Sequence, residues 1–196
     1  TYLGGASGDS ATALAIHPAS GEVYVAGNAD STTFPGTGGG AQPGGGGFLG
    51  DAFVSRFNAS LTTLVQSTYL GSSVGNDVAT ALAIHPASGE VYVAGSTNST
   101  TFPGTGGGAQ PAYAGGSGFV LGGDAFVSRF NTSLTVLTQS TYLGGAGDDL
   151  AFALAIHPAS GEVYVAGHTV STDFPATAGG AQPAPAGVGG IDAFVS

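Results

Sequence analysis

A unit of about 70 residues passes through this chain three times, so any fold it adopts must be periodic. TYLGG at Thr1–Gly5 returns as TYLGS at Thr68–Ser72 and as TYLGG at Thr141–Gly145, at spacings of 67 and 73. ALAIHPASGEVYVAG occupies Ala13–Gly27, Ala81–Gly95 and Ala153–Gly167, and DAFVS occupies Asp51–Ser55, Asp124–Ser128 and Asp192–Ser196. A Phe-Pro pair follows at Phe34–Pro35, Phe102–Pro103 and Phe174–Pro175. Length varies between AQP and DAFVS, as it does in exposed loops.

Each unit carries four strand-like segments. In the first copy they are Ala11–His17, Glu22–Ala26, Ala52–Phe57 and Thr63–Leu70. Pro18-Ala19-Ser20-Gly21 supplies a turn between the first two. Alternate positions on both faces are apolar or small, the pattern of a sheet covered on both sides. No helical stripe appears, and 37 glycines among 196 residues oppose helix throughout. Four antiparallel strands per repeat make a β-propeller blade. The expected fold is all-β, with β-propeller-like blades in an open or incomplete array. A β-solenoid-like fibre module is the alternative.

The units are read as 1–67, which begins with the last strand of a preceding unit, 68–140, and an incomplete 141–196. About 2.8 units are present, against the four to eight blades of closed propellers. The first TYLG is a last strand without its blade, and the last DAFVS a third strand without its fourth. The expectation is a window on a longer repeat array, or a protomer that self-associates through exposed strand edges.

Composition excludes several functions. Two arginines, no lysine and twelve acidic residues give a net charge of -10. Such a chain offers no basic patch for nucleic acid. No apolar run approaches the ~20 residues of a spanning helix, so membrane insertion is not expected. Without cysteine there is no disulfide, thiolate nucleophile or Cys-ligated zinc.

The run YLGG-x-G-D-D…ALAIHPASGEVYVAG-x-T-x-STDFP…GG-x-DAFVS, fullest at Tyr142–Ser196, resembles the SBBP family of bacterial and archaeal β-propeller repeats. The resemblance implies a propeller-type fold in extracellular or cell-surface proteins without established enzyme activity. The sequence departs from the family at HPASGE, where a form like VDSSGN is common.

Asp9, Asp77 and Asp149 lie in Gly-rich turns, with Asp148 beside the last, and Asp51, Asp124 and Asp192 open the third strand of each unit. Oxygen-rich turns with flexible glycines suit Ca2+, so these seven are candidate calcium ligands. Turn capping by the same side chains is the competing reading. His17, His85 and His157 precede Glu22, Glu90 and Glu162 by five residues and are read as structural hydrogen-bonding pairs with them. Arg56 and Arg129 are expected to pair with carboxylates or cap backbone carbonyls. Asn58, Asn98 and Asn131 stand in N-x-[ST] and are glycosylation candidates. No nucleophile elbow or phosphate loop occurs, and no catalytic residues are assigned.

The chain therefore reads as a non-enzymatic extracellular structural protein, a repeat scaffold that assembles into a surface layer, stalk or filament, with Ca2+ as a stabilising cofactor. The first alternative is a secreted propeller that binds a glycan or protein through its loops, with Tyr113 and Phe119 as loop aromatics. The second is a propeller glycosidase or lyase, for which only His168 and Asp173 break the repeat.

Overall fold

The computed structural model describes residues 1–45, 50–116, 122–186 and 190–196. Every strand pairing in it is antiparallel, and the described residues contain no helix. The first blade is a sheet of β1 (Asp9–Ile16), β2 (Val23–Ala29), β3 (Asp51–Phe57) and β4 (Leu64–Leu70), in that order. The second repeats it with β5 (Asp77–Ile84), β6 (Val91–Thr97), β7 (Asp124–Phe130) and β8 (Leu137–Leu143). The third has three strands, β9 (Asp149–Ile156), β10 (Val163–Thr169) and β11 (Asp192–Val195), with β11 at one edge. The fold is thus all-β with repeated open blades, and antiparallel pairing is not that of a parallel solenoid. The sequence cuts at 67/68 and 140/141 fall inside β4 and β8, because TYL finishes one blade before the chain enters the next. Thr1–Gly4 forms no strand.

The blades pack face to face in chain order. Strands β1, β2 and β3 of the first blade pack against β5, and β5, β6 and β7 of the second against β9. Ala26, Ala52, Val54, Leu70 and Tyr24 of the first blade share one core with Leu82, Val91, Val93 and Phe126 of the second. Alanines on one face leave room for branched and aromatic side chains from the next, which is how flat sheets reach interior density. The middle blade shows the result: Val91, Val93 and Phe126 are fully buried.

One irregularity recurs. The β1–β2 register skips Thr12, β5–β6 skips Thr80 and β9–β10 skips Phe152, a β-bulge in the first strand of each blade, which lies at the sheet edge. The bulge turns Thr12 Oγ1 onto Ala79 O of the next blade and Thr80 Oγ1 onto Ala151 O, both at 2.6 Å. Gly27, Gly95 and Gly167 lie opposite these bulges, where any Cβ would collide with the carbonyl of Ser10, Val78 or Leu150. The third blade carries Phe152 at the bulge, half exposed and edge-on to His168 with ring centroids 5.0 Å apart.

Candidate functional site at the blade seams

The structure sorts the seven candidate aspartates by position along the seams. Asp51 opens β3 in the first blade and Asp77 opens β5 in the second, and the two carboxylates meet over Gly71. Asp124 and Asp149 repeat this at the next seam: a Cβ on Gly144 would stand 2.7 Å from Asp124 Oδ1 and 2.6 Å from Asp149 Oδ2. Only glycine leaves the space in which the two acids converge. Asp9 reaches Gly4 in the same way, with its Oδ2 2.9 Å from the Cβ position. Asp192 occupies the matching place on β11. These two are single halves of the pair found at each internal seam.

Six of the seven, Asp9, Asp77, Asp124, Asp148, Asp149 and Asp192, also tie down backbone, as turn caps do. Asp149 Oδ2 accepts from Gly145 N and Ser171 Oγ, both at 2.8 Å, and Asp9 Oδ2 accepts from Gly5 N and Ser31 Oγ at 2.6 and 2.7 Å. Asp77 accepts from Ser72 N at 3.0 Å, from Ser99 Oγ at 3.1 Å and from Thr97 Oγ1. Asp124 Oδ2 accepts from Ala114 N at 2.8 Å and Gln110 Nε2 at 3.2 Å, pinning the loop that leads into β7. Asp148 stands apart from the pairs and accepts from Gly123 N at 3.0 Å. Among the described residues, Asp192 takes long contacts from Ala186 N, at 3.3 and 3.4 Å.

Asp124 Oδ1 is buried without a hydrogen-bond partner and faces Asp149 across the Gly144 notch. Oxygen donors of this kind suit calcium. Among the described residues no three His, Cys, Asp or Glu side chains gather. A cation at this notch would need oxygen donors beyond these two carboxylates, from backbone carbonyls, amide side chains or water.

Burial dominates the electrostatics. It pushes the Asp77 carboxyl up to about 6, against the opposing hydrogen bonds of Thr97, Ser72 and Ser99, and the Asp51 charge adds to the rise. Burial pushes Asp124 up to about 7, with the charges of Asp149 and Asp173 in the same direction. Asp149 is raised as well, chiefly by burial. An acid harder to ionise when folded than when unfolded removes stability as it ionises. In chelator, the melting temperature is expected to be higher at pH 5 than at pH 8. The fall should begin above about 4, where the unfolded carboxyls ionise, and level off once Asp77 and Asp124 are ionised in the fold, above about 6 and about 7. Glu22, held low chiefly by its hydrogen bond to Arg56, is ionised throughout that window. A melting temperature flat or rising from pH 5 to 8 contradicts this assignment.

Each histidine pairs with its glutamate through the backbone, His17 N donating to Glu22 O, His85 N to Glu90 O and His157 N to Glu162 O, all at 2.8 Å, while the side chains go elsewhere. His17 Nδ1 accepts from Ala19 N and Ser20 N at 3.3 and 3.2 Å, bracing the Pro-Ala-Ser-Gly turn, and His85 and His157 do likewise. Glu22 instead takes Arg56 at 2.7 Å and Ser20 Oγ at 2.9 Å, and Arg129 approaches Glu90 at 3.7 Å. The two arginines thus meet carboxylates, as expected. Asn58 and Asn131 hold the β3–β4 and β7–β8 hairpins through Thr62 N and Thr135 N, each at 2.9 Å, and Asn98 Oδ1 accepts from Asn76 N at 2.6 Å. Tyr113 packs edge-on against Tyr142, with centroids 5.8 Å apart, rather than standing out from a loop mouth. Phe119 lies outside the described residues. Asp173 accepts from Ala146 N at 2.9 Å, a loop tie.

Fold and seams together define a repeat protein of β-propeller-type blades. No protein-family model matches the chain, and no curated protein matches it.

Proposed function

We infer that this chain is a structural scaffold of the cell exterior, built to join blade on blade through the open faces of its first and third blades. The carrying observation is that these faces repeat the two halves of its own internal seams. Leu82 of the second blade is 8 % exposed under the first blade, whereas its counterpart Leu14 is 66 % exposed and Ile16 62 % exposed. At the other end Tyr164 is 45 % exposed, whereas its counterpart Tyr24 is fully buried and donates to Thr132 O of the second blade at 2.7 Å. The blade that meets each face belongs either to a longer array of the same repeat or, in a solution of these 196 residues, to a second copy. Such head-to-tail contacts make rings where the rotation closes and filaments where it does not. The resemblance to surface propeller repeats favours the exterior and a non-enzymatic role. Sedimentation velocity across a concentration series tests the reading: the chain should associate with rising concentration, and a single species of one chain at all concentrations would overturn it.

Calcium at the seams is a second element of the proposal, favoured by the partnerless buried Asp124 Oδ1 beside Asp149. Millimolar Ca2+ is expected to raise the melting temperature by several degrees, Asp124→Asn to reduce that response, and Asp51→Asn with Asp124→Asn to remove it. An unchanged melting temperature in the native sequence would eliminate the cation.

A further inference from the structure

Tyr113 follows Gln110 by three residues, in the longest of the three loops between AQP and DAFVS. Gly45 holds the same place after Gln42 in the first blade, and Pro185 after Gln182 in the third. A Cβ on Gly45 would stand 3.1 Å from the Tyr69 ring and 3.4 Å from Asp51 Oδ2. The position therefore lies between a last-strand tyrosine and a third-strand aspartate. Tyr113 fills it in the second blade, edge-on to Tyr142 with ring centroids 5.8 Å apart. Burial pushes its hydroxyl up to about 12, and the charges of Asp124, Asp148 and Asp149 add to the rise. The loop is tied to Asp124 Oδ2 on both sides of this tyrosine, by Gln110 Nε2 at 3.2 Å and by Ala114 N at 2.8 Å.

The acids beside Tyr113 are short of partners. Asp124 and Asp149 are fully buried, and in each the Oδ1 atom has no hydrogen-bond partner. Gly144 keeps a space open between Asp124 Oδ1 and Asp149 Oδ2. Ionised carboxylates only accept, so two that face each other cannot satisfy one another. No base is at hand, since the chain has no lysine and Arg129, further along β7, reaches toward Glu90. An aromatic ring beside such a pair keeps water away and makes their charge costlier. A cation between them removes that cost, and the same exclusion of water then strengthens the hold on it.

We propose that Tyr113 is the cover of a calcium site formed by Asp124 and Asp149 at the second seam, and that its ring slows release of the ion. The two aspartates supply oxygen ligands. Tyr113 supplies none and acts as a positioning residue, through the water it excludes. Release requires water to reach the ion as the carboxylates let go, and a ring packed on Tyr142 must first swing aside. The inference rests on the calcium reading of this seam and adds to it the group that controls exchange.

The test follows release directly. The complete chain is loaded with Tb3+, a calcium-sized ion whose emission is excited through nearby tyrosines, and mixed with excess EDTA. A slow phase of emission loss is expected, and Asp124→Asn with Asp149→Asn should remove it. Tyr113→Gly should speed that phase by about tenfold. Tyr113→Phe should keep the slow rate with weaker emission, because the ring remains while one sensitising phenol is gone. Circular dichroism in EDTA checks that each variant keeps the native β-sheet spectrum. Tb3+ that binds and leaves Tyr113→Gly at the native rate overturns the cover and leaves the calcium reading standing. Release accelerated as much in Tyr113→Phe as in Tyr113→Gly also overturns it, since the hydroxyl rather than the ring would then hold the ion. No saturable binding of Tb3+ or Ca2+ to the native chain overturns the calcium reading and the cover together.

Discussion

Gly95→Ala is expected to leave the protein unfolded or insoluble. The new methyl group would sit inside the van der Waals shell of Val78 O and only 2.9 Å from Val78 C. Both are backbone atoms of β5, so relief requires moving a strand rather than a rotamer. That strand cannot move cheaply, because it is the surface on which the first blade and β9 both pack. The expected loss exceeds about 4 kcal/mol, the range reserved for a forced clash in a core. Gly27→Ala makes the same collision with Ser10 O, but in the first blade, where β1 packs against only one neighbouring blade. It should destabilise less. Gly106→Ala meets nothing within 4 Å and should change stability by no more than about 0.5 kcal/mol. Thermal melts of the three order the effects. A Gly95→Ala protein that melts with the native one would refute the bulge geometry.

The second large effect concerns assembly. Leu14→Glu with Ile16→Glu is expected to hold the chain as a single copy at concentrations where the native sequence associates. Burying each of these side chains against a partner blade is worth roughly 1.5–3 kcal/mol. Burying two carboxylates instead costs several kcal/mol each. Both positions are exposed within one copy, at 66 % and 62 %, so the fold itself should melt within a few degrees of the native protein. Association that persists in this variant, measured by sedimentation, would place the contact elsewhere.

Much of this was legible in the sequence because the repeat is so regular. Four strands per unit follow from period-two alternation in segments such as Glu22–Ala26, bounded by turns rich in proline and glycine. That both faces of a blade are apolar announced packing on both sides, and the middle blade is buried on both. The bulge was not legible: ATALAI alternates without a break, and only a three-dimensional register shows that Thr12 and Thr80 drop out of pairing to reach the next blade. The signal was the glycine of VYVAG, which no turn requires.

The seven aspartates were singled out by residue type, but their pairing was hidden. Asp124 and Asp149 lie 25 residues apart and on different blades, and they meet only because TYLG crosses from one sheet toward the next. The histidine–glutamate pairs form through backbone rather than side chains, for a local reason. An imidazole one residue before the proline folds back onto the turn amides. The glutamate then goes to arginine across the sheet, since Val25 and its neighbours put Tyr24 and Arg56 in register.

Cross-linking of single-cysteine variants tests head-to-tail docking most directly, because the native chain contains no cysteine. Internal seams bring the bulge residue of one blade to the carbonyl of the next, as Thr80 to Ala151. Docked copies should therefore place Phe152 of one beside Ala11 of the other. Phe152→Cys and Ala11→Cys proteins, mixed and treated with a short thiol-to-thiol linker, are expected to give a linked mixed pair, while each variant alone gives little. No mixed product, or Phe152→Cys protein linking to itself just as readily, would contradict assembly through the two end faces.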